Sequence, residues 1–204
     1  MKAKNRLIAC AGAALLWAGH AGAAVLLSDN FNSETQGLNY TGFTNWNVTA
    51  GSVDLIGTGF FDFYPGNGNY VDLAGSTGFG GTLTSKQSFA VASGGSFDLS
   101  FDLGGSARGP TNIVDVILAG TTLATLTLAS SAPLALHTYS LHNNSGSALS
   151  GNLVFRNETN GTQGAILDNV ILSSNSATVS EPATTLLLGL GLAGLILGRR
   201  RLTR

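Results

Sequence analysis

The sequence predicts an all-β domain, a β-sandwich or jelly roll, and three observations predict it. Gly, Ser, Thr and Asn crowd the middle of the chain, and charged residues make up only 10% of the whole. Apolar residues there recur every second position, with no sustained 3.6-residue period. Turn residues punctuate these runs about every 8–12 residues, as in sandwiches.

In chain order, the first strand signal is Trp46 to Ile56, followed by Asn69 to Leu73 and Thr82 to Val91. Ser96 to Leu103 alternates strictly: Phe97, Leu99, Phe101 and Leu103 share one face, and Asp98, Ser100 and Asp102 the other. Gly94-Gly95 and Gly104-Gly105 bracket it as turns. Ile113 to Leu118 and Leu123 to Leu128 flank Ala119-Gly120-Thr121-Thr122 and read as a hairpin. Leu134 to Leu141, Leu149 to Phe155 and Ile166 to Leu172 complete roughly nine strands in a body of single-domain size.

Both ends are targeting segments. Lys2, Lys4 and Arg6 precede an apolar run from Leu7 to Trp17, and Ala21-Gly22-Ala23 gives the small-residue pattern that signal peptidase cuts. Residues 1–23 therefore read as a signal helix, with the mature chain starting at Ala24. A competing lipobox, Leu7-Ile8-Ala9-Cys10, has too few apolar residues before its cysteine. If Cys10 leaves with the signal peptide, the exported domain has no cysteine and no disulfide. At the other end, Ser180-Glu181-Pro182 precedes an uncharged run over 183–198 and then Arg199, Arg200 and Arg201, the basic end running over 199–204. About 16 residues at 1.5 Å each give a helix of about 24 Å, a marginal span of the ~30 Å hydrocarbon core. Its arginines belong on the cytoplasmic side.

This tail resembles the PEP-CTERM sorting signal of Gram-negative bacteria, in which a Pro-Glu-Pro motif leads a short hydrophobic helix and an Arg-rich end. Glu181 and Pro182 match, and Ser180 stands where the first proline would be. The resemblance implies processing by an exosortase, passage through an inner-membrane intermediate, and delivery to the cell surface or the medium. The domain plan is then a signal peptide over 1–23, a β domain over 24–172, a polar linker over 173–179 and a sorting tail over 180–204.

Without its ends the domain is acidic. Between Ala24 and Val179 stand three cations, Lys86, Arg108 and Arg156, against ten acids, a net charge of about −7. That surface repels nucleic acid and suits divalent cations or neutral glycans.

Asp29-Asn30-Phe31, the strand of Trp46, Asn69-Tyr70-Val71-Asp72-Leu73, the strand at 97–103 and a closing Leu167-Asp168-Asn169-Val170 follow one another as in galactose-binding-like jelly rolls, which the body resembles. That resemblance implies a carbohydrate-binding or cell-wall-associated domain with a structural calcium tying the N-terminal segment to the last strand. Its candidate ligands are Asp29, Glu34 and Asp168, completed by backbone carbonyls. Asp168 also interrupts an apolar run, where a carboxylate needs a partner.

Residues 60–70 concentrate five aromatics beside Asp62 and two asparagines. Tyr64, Tyr70 and Asp62 are the candidate glycan contacts, since rings pack on the apolar faces of sugars. The alternative is that these aromatics fill the core. Catalysis has little to build on: no Gly-x-Ser-x-Gly elbow is present, and His137 and His142 have no evident serine and acid partners. The expectation is an exported, non-enzymatic surface or matrix protein associated with exopolysaccharide. The alternatives are a carbohydrate-binding module with a defined ligand and, behind it, a polysaccharide hydrolase.

Overall fold

The structure is a computed structural model, and it describes residues 23–176. All thirteen regular elements there are strands. They are β1 (Ala24–Asp29), β2 (Trp46–Ala50), β3 (Asp54–Gly57), β4 (Asn69–Asp72), β5 (Thr82–Ser85), β6 (Phe89–Val91) and β7 (Ser96–Gly104). The rest are β8 (Asn112–Leu118), β9 (Thr121–Leu128), β10 (Ala135–His142), β11 (Leu149–Gly151), β12 (Leu153–Asn157) and β13 (Ile166–Asn175). The signal peptide and the hydrophobic run over 183–198 lie outside the described residues. Among those described, no helix is long and apolar enough to cross a membrane.

Two sheets form the sandwich. The first runs β10-β7-β13-β4-β3, and the second runs β2-β5-β12-β8-β9. A small ribbon, β11-β6, stands apart. One edge of β13 is shared: Ile166 and Leu167 pair with Asp72 and Val71 of β4, and residues 170–174 pair with β1. The alternation at Ser96–Leu103 does what the sequence predicts. Phe97, Leu99, Phe101 and Leu103 enter the core, and Asp98, Ser100 and Asp102 face outward. Phe155 of the second sheet meets Phe101 of the first edge-on at 5.0 Å and Trp46 at 5.9 Å, so aromatic contact joins the layers. Each such buried side chain stabilises the fold by about 2–3 kcal/mol.

Several expected strands are divided. The run from Trp46 to Ile56 breaks at Gly51, whose φ of 57° suits glycine, and where a Cβ would come within 2.0 Å of the Gly80 carbonyl oxygen. Its halves lie in opposite sheets. Thr82 to Val91 breaks where the Ser85 hydroxyl turns to the Gln87 carbonyl at 2.7 Å. Leu149 to Phe155 breaks at Asn152, whose side chain bonds the carbonyls of Ser85 and Gln87. The β8–β9 turn consists of Ala119 and Gly120, both at positive φ, so β9 already starts at Thr121. β1 had no alternation to reveal it, and β13 runs to Asn175 because Ser173, Ser174 and Asn175 continue the ladder on β7.

A second, smaller cluster lies on the outer face of the first sheet. Ile56, Tyr70 and Ile166 are buried there beneath Phe60, Phe63, Tyr64 and Leu134. The β3–β4 connection, residues 58–68, thus doubles back over its own sheet, and it shapes the candidate site.

Candidate functional site

Tyr70 is fully buried. Its hydroxyl accepts from the backbone N–H of Phe63 at 2.5 Å and of Tyr64 at 3.0 Å, and it donates to Asp62 Oδ1 at 3.0 Å. Burial, reinforced by Asp62, pushes its pKa up to about 12 despite the two N–H donors. The Tyr64 hydroxyl bridges to the carbonyls of Gly105 at 2.7 Å and Ala132 at 2.9 Å. The structure therefore unites Tyr64, Tyr70 and Asp62 as the fastening of the doubled-back segment. Tyr70 offers no ring face to solvent.

That fastening presents a different aromatic, Phe61. Its φ is 51°, a region a bulky side chain occupies only where its surroundings impose it, and the residue is 50% exposed. Phe60 packs against it edge-on at 4.8 Å. Phe61 borders a cleft of about 150 Å³ lined also by Leu38, Asp54, Ile56, Ser76, Arg108 and Thr162.

Arg108 reaches this cleft from the β7–β8 loop. Its guanidinium carbon lies 4.1 Å from the centre of the Phe63 ring, and Nη2 donates to Asp72 Oδ2 at 3.0 Å. Asp72 Oδ1 accepts the N–H groups of Ala74 at 2.9 Å and Gly164 at 2.7 Å. Burial raises Asp72 to about 7, against the two N–H groups and the arginine. Asp54 accepts the N–H of Asn39 at 2.7 Å. Burial raises it too, while that N–H and Arg108 act the other way. Arg108 Nε is buried without a partner. The cleft therefore holds a hydrogen-bond donor set on Arg108, an acceptor on Asp54, two hydroxyls, and apolar surface on Phe61 and Leu38.

The sequence places Phe61 in the aromatic stretch without distinguishing it from its neighbours, and gives Asp54 and Arg108 no place in the site. Arg108 carried a signal, as one of three cations in an acidic domain. The backbone strain at Phe61 had none.

The carboxylates expected to share calcium are near neighbours without forming a closed set. Asp29 Oδ1 accepts the N–H of Phe31 at 2.9 Å. Its Oδ2 accepts Asn45 Nδ2 at 2.9 Å and Trp46 Nε1 at 3.0 Å. Glu34 Oε1 takes the N–H of Thr44 at 2.5 Å, while Oε2 is buried with no partner. Burial raises Glu34, and Asp29 adds to the rise. Asp168 accepts the N–H of Asn169 at 2.7 Å, and burial, with Asp102 and Asp29, pushes it up to about 7. Among the described residues no three acid, histidine or cysteine side chains converge closely enough to hold a metal by themselves.

The histidines are apart from the cleft. His137 stacks on Phe101 at 5.5 Å, and both it and His142 belong to β10.

Residues 178–201 match the family model of the PEP-CTERM protein-sorting motif. No curated protein matches the chain. Among solved structures, a cyclase from Fischerella sp. TAU is 17% identical at a TM-score of 0.50, over 76% of this chain and 99% of that one. The CBM22-1 xylan-binding domain of Paenibacillus barcinonensis Xyn10C is 16% identical at a TM-score of 0.46, over 78% of this chain and 99% of that one. A carbohydrate binding module of family 29 is 12% identical at a TM-score of 0.40, over 80% of this chain and 98% of that one. The likeness to the cyclase supports the β-sandwich fold and nothing about activity. The chain is thus a β-sandwich followed by a PEP-CTERM protein-sorting motif, which marks it for export.

Proposed function

We propose that this exported protein is a non-enzymatic surface or matrix component that associates with extracellular polysaccharide, and that it holds sugar in the cleft beside Phe61. The observation that carries the reading is Phe61 itself. A bulky residue is kept at positive φ and left half-exposed, beside a donor set and an acceptor. Saccharide sites combine these parts: an apolar face for the C–H surface of a sugar and a few fixed polar groups for its hydroxyls.

The chain ends agree with such a role. Ala24, the expected mature N-terminus, pairs with Ser174 beside the exit toward the sorting motif. Arg108, Asp72 and Thr162 lie toward the other end of β13, which at about 3.3 Å per residue is roughly 30 Å long. Ala24 and Ser174 lie at one pole of the sandwich, and the cleft lies toward the opposite pole, where Ile166 pairs with Asp72. A body tethered through its tail would thus direct the cleft away from its anchor.

A structural Ca²⁺ near Asp29, Glu34 and Asp168 belongs to this reading as a proposal. Its support is the orphaned Glu34 oxygen and the like charge that Asp29 imposes on both other acids. Backbone carbonyls would have to complete the six to eight oxygens calcium takes.

The test of the polysaccharide reading is a glycan array probed with the purified full chain. Saturable binding to at least one polysaccharide is the expected result, and an array without signal would overturn it.

A further inference from the structure

The outer face of the first sheet has a second depression, lined by Asp98, Ser100, Thr138, Ser140, Ile171 and Ser173 among others. Its polar groups answer one another. Ser140 donates to Asp98 Oδ1 at 2.5 Å, Asn175 donates to Asp98 Oδ2, and Ser173 reaches the Asp98 carbonyl at 3.4 Å. No aromatic ring is presented there beyond Tyr139, whose ring lies on the core side, stacked on Phe101. That face asks for no ligand.

The cleft at Phe61 differs because its polar groups are incompletely answered. Arginine has five N–H donors and no acceptor, and an ionised carboxylate has acceptors only. Of the Arg108 donors, one is engaged by Asp72, and the buried Nε has no acceptor at all. Asp54, 5% exposed, lines the same cleft; its Oδ1 already accepts the Asn39 N–H and it lies against Ser76, so Oδ2 is the complementary acceptor. Stacking on Phe63 and the bond to Asp72 fix the plane of the guanidinium, so its free edge is pre-organised.

Resting on the polysaccharide reading, we infer that the cleft takes a neutral pyranose, with Arg108 donating to one hydroxyl, Asp54 accepting from a neighbouring one, and Phe61 covering an apolar face of the ring. A hydroxyl both donates and accepts, so a pair of adjacent hydroxyls satisfies both side chains at once. A uronate carboxylate or a sulfate placed at Arg108 brings a second negative charge beside Asp54. Asp72 already offsets the arginine, and the whole domain carries about −7, from three cations against ten acids over residues 24–179. The cleft therefore gives an anionic sugar no net attraction.

The experiment is native affinity electrophoresis of the full chain in mild detergent. Separate gels contain neutral dextran, xylan or galactomannan, or the uronates alginate or polygalacturonate. The inference expects retardation in at least one neutral gel and in neither uronate gel. It also expects at least a tenfold weaker retardation of Asp54→Asn, with the melting temperature recording its fold. Retardation by a uronate in preference to every neutral polymer overturns the inference and leaves the polysaccharide reading standing. Free migration in all five gels overturns both. Because the panel is read on the wild type, the outcome does not depend on any variant folding.

Discussion

Arg108 Nη2 stands 3.0 Å from Oδ2 of Asp72, thirty-six positions earlier in the chain. The contact ties the β7–β8 loop to the end of β4, and with Phe63 under the guanidinium it also holds down the segment that presents Phe61. Arg108→Lys keeps the charge and loses the planar stack and the fixed donor geometry. The expected cost is about 1–2 kcal/mol, read as a lower urea midpoint at unchanged slope. Sugar binding should fall further than stability, because the surviving ammonium no longer presents a fixed edge to the cleft.

Asp29 makes a comparable tie inside the core. One carboxylate receives the Phe31 N–H, the Asn45 amide and the Trp46 indole N–H. Asp29→Ala strands the Trp46 donor in a fully buried site, and a loss of about 3 kcal/mol is expected in chemical denaturation. Asp29→Asn, which keeps one acceptor oxygen, should lose less.

Stability should fall as pH rises from about 4 toward 7. Burial raises both Asp72 and Asp168 to about 7, far above the unfolded value of 3.8. Between those limits the folded chain binds more protons than the unfolded one, so the slope of unfolding free energy with pH is negative. Above the folded values it flattens. Melting temperatures across pH 4 to 8, in chelator, check this. Asp72→Asn should show a shallower dependence than the wild type.

Calcium is tested by melting the purified protein with and without EDTA. The proposal expects a fall of several degrees in chelator, recovered by added Ca²⁺, together with bound metal in the untreated protein. An unchanged melting temperature and no bound metal would sink it.

Much of this architecture was legible in particular residues. Phe97 to Leu103 announced a strand with one buried face, and Glu181-Pro182 with Arg199, Arg200 and Arg201 announced the sorting signal that the family match then found. The division of Trp46–Ile56 between two sheets was not legible, because it depends on Gly51 lying against Gly80, a contact between distant segments. The same limit applied at the site. Residues 60–70 are visibly aromatic in the sequence, yet spacing cannot say which ring is buried. Tyr70 turns inward because it lies opposite Ile56 in the β3–β4 register, over the same sheet face. Phe61 turns outward through a backbone angle that no local pattern encodes. Arg108 was visible as a rare cation, but its position over Phe63 depends on a loop that only the fold brings near.

The most direct measurement of the central claim compares Phe61→Asn with the wild type on the same polysaccharides. Asparagine tolerates positive φ better than phenylalanine does, so the variant removes the ring without disturbing the backbone. The expected result is an unchanged or higher melting temperature and at least tenfold weaker glycan binding. Undiminished binding by a well-folded Phe61→Asn would contradict it.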